Sequence, residues 1–150
     1  MILVDTREKR NEHIRRYFEE HHIEYRLQKL DTGDYMNTDY PSVIVDRKQS
    51  LDECASNLCS KDSGRFWREL RRSHTAGTKL VLLVEHGPEI KTINDVPKWN
   101  CHFSEKITGK KVFDEMFRAH LAYHIDWKFC SKDETAKKIL EIIKYDCGRN

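Results

Sequence analysis

Three carboxylates and one ammonium group dominate the chemistry available to this sequence. Asp5 follows the apolar run Ile2-Leu3-Val4, Asp34 follows Gly33 in a turn, and Asp46 follows Val43-Ile44-Val45. Each stands at the end of an expected strand or in the turn beside one, where an acidic group must be solvated, paired or bound to a cation. Strand ends in an α/β sheet converge on one edge, the usual place for a ligand. Several carboxylates gathered there repel one another, and a divalent cation with oxygen preference, such as Mg²⁺, relieves the repulsion. Lys48 adds the fourth group. Residues 46 and 48 of a strand point to the same face, so Asp46 and Lys48 stand side by side. The carboxylate can hold a metal, and the ammonium can orient a water or stabilise charge building on a phosphate. Arg47 is expected on the opposite face. Taken singly, each Asp has an ordinary reading as a turn or cap residue; the combination carries the argument.

The elements that must position these groups are legible as hydrophobic patterns. Strands are expected at 2–4, 24–29, 35–36, 43–45, 79–85 and 125–130, from short apolar or alternating runs. Helices are expected from an Asn11 cap to about His22, from a Ser50 cap to about Cys59, from Arg65 to about His74, from Thr108 to His124, and after a Ser131 cap. In the first of these Ile14, Tyr17 and Phe18 share a face; in the last Ala136, Ile139, Leu140 and Ile143 turn inward. Residues 87 to 107 give no clear pattern. Alternating strands and helices with short connections predict an α/β domain with a mixed central sheet covered by helices on both faces. No repeat or linker interrupts residues 1–150, which read as one domain.

Bulk composition narrows the class. Of 150 residues, 38% are hydrophobic and 35% charged, enough apolar content for a core. The net charge of +2 is too small to prove nucleic-acid binding by itself. The five cysteines (Cys54, Cys59, Cys101, Cys130, Cys147) form no C-x-x-C pair, so zinc signatures fail and reduced thiols are expected. Neither a signal peptide nor a membrane span is expected, which predicts an intracellular protein. None of the eight histidines is assigned to a metal, although His102 beside Cys101 stands out.

Taken together, these motifs resemble the nuclease domain of the XPF family of structure-specific endonucleases. The family signature, G-D followed by E-R-K-x-x-x-D, is approached by Gly33-Asp34 and by Asp46-Arg47-Lys48-Gln49-Ser50-Leu51-Asp52. Val4-Asp5-Thr6-Arg7-Glu8 is similar to the family's first strand, and Gly64-Arg65-Phe66 with the strand at 80–85 continues the match. The resemblance implies a restriction-endonuclease-like core of the PD-(D/E)XK superfamily and Mg²⁺- or Mn²⁺-dependent hydrolysis of DNA phosphodiesters, on branched, flap or fork DNA. It implies Asp5, Glu8, Asp34 and Asp46 as metal-binding residues and Lys48 as the catalytic lysine. Arg47 becomes a helper near the phosphate or an ion-pair partner, and Asp52 a support for Arg47 or Lys48. Two departures are visible. Asp46 stands where the family usually has Glu, and no helix-hairpin-helix signal follows the domain, so such a module is expected to be absent or to come from a partner protein.

Positive charge is concentrated between residues 61 and 72. Arg65, Arg68 and Arg72 share one helix face, and with Lys61 they are expected to follow a phosphate backbone. The family also implies a homodimer, for which Val112, Phe113, Phe117, Tyr123 and Trp127 are candidate contacts. The rival readings are a catalytically inactive DNA-binding scaffold, a Holliday junction resolvase or duplex nickase on the same fold, and an RNase.

Overall fold

The computed structural model describes residues 1–147. Its centre is a six-stranded mixed sheet of β1 (Ile2–Val4), β2 (Tyr25–Leu27), β3 (Tyr35–Asn37), β4 (Val43–Lys48), β5 (Lys79–Glu85) and β6 (Asp126–Cys130). The order across the sheet is β2-β1-β3-β4-β5-β6. β1 pairs parallel to β2 and antiparallel to β3, which is antiparallel to β4; β4, β5 and β6 run parallel.

Helices cover both faces, as the alternation predicts. On one side α1 (Glu12–Glu20) and α5 (Thr135–Ile142) bury Ile14, Phe18, Ile139 and Leu140 against Ile2, Val4, Val45 and Leu83. On the other, α2 (Leu51–Cys59), α3 (Ser63–Thr75) and α4 (Gly109–Tyr123) bury Leu51, Phe66, Leu70 and Met116 against Ile44, Leu80, Leu82 and Val84. Strand alternation alone sorts Ile44 from Val45 and Leu82 from Leu83 onto opposite faces. Ser50 caps α2, its Oγ accepting from the Glu53 amide at 3.1 Å. Gly77 ends the turn after α3 at φ +77°, a left-handed conformation that costs glycine little.

Three details depart from the expectations. β4 does not stop at Val45 but carries Asp46, Arg47 and Lys48 within the ladder, paired with Leu82, Leu83 and Val84. α3 starts two residues before Arg65, at Ser63. The unpatterned stretch 87–107 holds a 3₁₀ turn (Ile93–Lys98) capped by Thr92, and a single bridge joins Asn100 to Thr108. It contributes Ile90, Val96, Trp99 and Ile107 to the core, with Ile93 partly buried beside them; Ile90, Ile93, Val96 and Trp99 recur every three residues, the spacing of a 3₁₀ turn rather than of an α-helix or a strand. Among the described residues no helix is long and apolar enough to cross a membrane.

Candidate active site

The sheet divides the predicted site residues between its two faces. Asp34 precedes β3 and Asp46 lies in β4; their side chains share the face on which Met36 and Ile44 sit. They open into a cleft of about 390 Å³ together with Asp5 and Lys48. The opposite wall belongs to α3, which presents Arg65, Arg68, Glu69 and Arg72.

The main chain fixes Asp34 tightly. Gly33 turns at φ +72°, and a Cβ there would overlap the Cγ2 of Ile44. The turn delivers Asp34 into register: its amide donates to the Val45 carbonyl at 2.8 Å, and its Oδ2 accepts from the Arg47 amide at 2.8 Å. Burial pushes the Asp34 carboxyl well above the ordinary carboxylate range, and the negative charges of Asp46 and Glu8 push it the same way. Asp46 lies within hydrogen-bonding reach of it. Lys48 Nζ is 3.6 Å from Asp46 Oδ1 and 4.0 Å from Glu53 Oε1, above the ring of Phe66 at 4.8 Å. Burial opposes its charge, but Asp46, Glu53 and Asp34 outweigh burial and hold its pKa above the ordinary value. Lys48 is therefore a cation at neutral pH, suited to stabilising negative charge rather than to acting as a base.

Asp5 lines the same cleft, but its oxygens are committed. Oδ1 accepts from the Leu30 amide at 2.7 Å and Arg7 Nη2 at 3.2 Å; Oδ2 accepts from Arg7 Nε at 2.9 Å and the Arg7 amide at 3.1 Å. Burial raises its pKa, yet these donors outweigh burial and hold it below the usual carboxylate range. Four donors fill the acceptor sites of a carboxylate, so Asp5 holds Arg7 and the 30–34 turn.

Arg47 and Glu8 stand on the reverse face. Arg47 Nε and Nη2 donate to Glu8 at 2.7 and 3.1 Å, Nη1 to Glu85 at 2.7 Å, and Nη2 also to the Lys9 carbonyl at 2.6 Å. Tyr35 Oη donates to Glu8 at 2.8 Å and accepts from Asn11 at 3.2 Å. The Arg47 side chain is 1% exposed. Glu8, expected to bind metal beside Asp5, lies here on the reverse face: strand alternation carries Arg47 away from the cleft, and Glu8 follows it as the counter-ion. Of the two roles expected for Arg47, the ion-pair partner is the one the geometry contains.

Asp52, expected to support Arg47 or Lys48, also stands apart from the cleft. It supports neither Arg47 nor Lys48; it accepts from the His102 amide at 3.0 Å and pairs with His102 Nδ1 at 2.9 Å, pinning the 87–107 stretch to the start of α2. A single step along the helix, about 100° of rotation, places Asp52 away from the cleft and Glu53 toward Lys48. Lys61 is exposed in the turn between α2 and α3 and does not line the cleft, unlike Arg65, Arg68 and Arg72. Glu69 and Arg7 escaped the sequence reading. Glu69 lies between Arg65 and Arg72 on the same helical face, so the helical period that marks the arginines also marks Glu69. Burial and the charge of Asp46 raise its pKa.

Asp34 and Asp46 fit a hard divalent cation. They are adjacent, mutually repelling when ionised, and keep acceptor capacity open to the cleft. Among the described residues no three His, Cys, Asp or Glu side chains close into a full metal cage. Mg²⁺ commonly takes one or two carboxylates and leaves its other positions to water and substrate phosphate, so two suffice.

The fold has relatives. The fold is similar to that of XPF from Aeropyrum pernix solved in complex with DNA, with a TM-score of 0.69 and 24% identity over 95% of this chain and 62% of that one. It is likewise similar to XPF from Aeropyrum pernix in a second structure, with a TM-score of 0.70 and 23% identity over 99% of this chain and 65% of that one. The chain thus spans less than two thirds of the length of these relatives. No curated protein sequence matches it significantly. The sequence pattern of the ERCC4 domain, however, matches residues 4–142, from the last residue of β1 to the last of α5, and the chain belongs to the ERCC4 domain family.

Proposed function

We propose that this chain is a metal-dependent DNA endonuclease that hydrolyses phosphodiesters on branched, flap or fork DNA. The observation that carries the reading is the juxtaposition, at the floor of one cleft, of Asp34, Asp46 and the charged Lys48 beneath the arginines of α3. Family membership supports it, as does the resemblance of the motifs to XPF-type nucleases.

Asp34 and Asp46 would hold Mg²⁺, with Mn²⁺ able to substitute. The bound ion supplies Lewis-acid polarisation of the phosphate and a water of lowered pKa. The protein's own groups do the rest. Lys48 stabilises the negative charge that grows on the phosphate. Arg65, Arg68 and Arg72 grip the backbone across the cleft. Asp5 fixes Arg7 at its rim, and Arg47 with Glu8 and Glu85 locks β4 from behind.

The retained acidic pair and Lys48 speak against an inactive scaffold. The domain is taken as a single unit over 1–150, working on intracellular DNA. Phe117, 44% exposed and stacked on Phe113, is the candidate centre of a homodimer contact, whereas Val112 is wholly buried in the core. A helix-hairpin-helix module from a partner would supply further branch recognition.

The test is direct. Purified protein is incubated with a flap, a fork, a four-way junction and plain duplex, with Mg²⁺ or with EDTA, and with an RNA of matching sequence. Mg²⁺-dependent cleavage near the branch is expected. Preferential cutting of the four-way junction or of plain duplex selects the resolvase or nickase reading, and binding without cleavage under any metal selects the scaffold.

A further inference from the structure

A second hollow adjoins the cleft. It encloses about 830 Å³ and shares Arg7, Asp31 and Arg72 with the cleft lining. That volume lies within the range of pockets that engulf organic ligands, about 300–1,000 Å³, so nucleotides fit. Its origin is in the sheet. The helices on this face pack over β4, β5 and β6, leaving Met36 of β3 half-buried beside Ile44 and Leu30 as an apolar floor. The rim is cationic: Arg7, Lys29 and Arg72 face the single lining carboxylate of Asp31. Arg7 forms the sill between the two hollows. Its guanidinium is held by Asp5 and by the Leu30 carbonyl at 2.7 Å, yet its side chain is 60% exposed. A cation fixed on one side and open on the other is ready to receive a phosphate without losing conformational freedom.

The geometry points to the occupant of this groove as an unpaired segment of the DNA substrate, the single strand that leaves the branch point as the duplex lies in the cleft. This rests on the nuclease reading above and adds to it a strand path. Two features choose a single strand over a second duplex arm. Duplex arms present phosphates outward and would use the basic rim alone, whereas unpaired nucleotides also expose base faces that an apolar floor can cover. The groove is also continuous with the cleft through Arg7 and Arg72, so a strand crossing the sill needs no break in its backbone.

The test compares a nicked duplex with the same duplex carrying a flap of about ten nucleotides, by fluorescence anisotropy and by Mg²⁺-dependent cleavage. Gln28→Glu with Lys29→Glu changes two exposed side chains of the groove and leaves the cleft intact. The variant should bind the flap about tenfold more weakly, with a salt slope reduced by about 1 or more, and bind the nicked duplex within about twofold of wild type. In the wild-type protein, replacing the flap bases with abasic sites should weaken flap binding comparably, because the floor then covers nothing. Equal weakening for flap and nicked duplex, or indifference to abasic sites, overturns the inference. Normal cleavage with no flap preference sinks the groove alone, whereas failure to bind or cut any DNA sinks the nuclease reading with it.

Discussion

Arg47 and Glu8 are joined across the back of the sheet, Nε to Oε2 at 2.7 Å, while the residues on either side of Arg47 face the cleft in front. The strand therefore carries a catalytic candidate at 46, a structural clamp at 47 and a second catalytic candidate at 48. Truncating one partner of a buried pair leaves the other charge uncompensated. Arg47→Ala should lower stability by about 3–5 kcal/mol, read by urea denaturation. Combined with Glu8→Ala and Glu85→Ala it should cost less than the separate losses add up to. A wild-type midpoint for Arg47→Ala, with cleavage lost, would place Arg47 on the DNA instead.

Asp34 gives a prediction with a pH signature. Its carboxyl is held above the ordinary range by burial and by the charges of Asp46 and Glu8. The folded chain therefore binds this proton more tightly than the unfolded chain, and ionising Asp34 costs stability as pH rises past the unfolded value of about 3.9. Asp34→Asn should abolish cleavage yet raise the melting temperature of metal-free protein at neutral pH. The gain should vanish in acid, where wild-type Asp34 is protonated in both states. A lower melting temperature at neutral pH would contradict the assigned electrostatics.

The same proton should report on metal binding. A divalent cation needs the ionised carboxylate, so its binding should displace the proton and its affinity should climb with pH. Calorimetry with Mg²⁺ or Mn²⁺ in buffers of differing ionisation enthalpy measures the release directly. Asp34→Asn should remove both the release and most of the affinity; unchanged proton release in that variant would assign the site elsewhere.

Lys48 is a buried cation beside Asp46 rather than a base. Lys48→Ala should slow cleavage by about 100-fold or more and leave DNA affinity nearly untouched, since the α3 arginines provide the grip. Single-turnover rates and anisotropy separate the two. Each of Arg65→Ala, Arg68→Ala and Arg72→Ala should instead reduce the salt slope of binding by about 1. Lys61→Ala, outside the cleft, should change it least.

Gly33 is the hinge on which Asp34 depends. Gly33→Ala places a Cβ in a left-handed residue, costing about 1–2 kcal/mol, and drives it into Ile44. The loss of activity should exceed the loss of stability, because the turn sets the Asp34 register. Cleavage at the wild-type rate by a folded Gly33→Ala protein would show that the register has slack.

What the sequence determined by itself is whatever depends on neighbours along the chain. Apolar runs, alternation and turn signals marked all six strands, and the alternation of a strand was enough to put Asp46 and Lys48 on one face and Arg47 on the other. Helical spacing likewise put Arg65, Arg68 and Arg72 on one wall. The 87–107 stretch stayed illegible because its core residues Ile90, Ile93, Val96 and Trp99 recur every three residues, a 3₁₀ spacing that matches neither the α-helical nor the strand period. What only the tertiary structure decided is which distant group meets which. Glu8 faced Arg47 rather than the cleft, Asp52 met His102 rather than a neighbouring cation, and Asp5 spent its acceptors on Arg7 and Leu30. Burial created these choices, since a charge removed from water must take whatever partner the packed elements bring within reach, and a one-dimensional pattern contains no record of that distance.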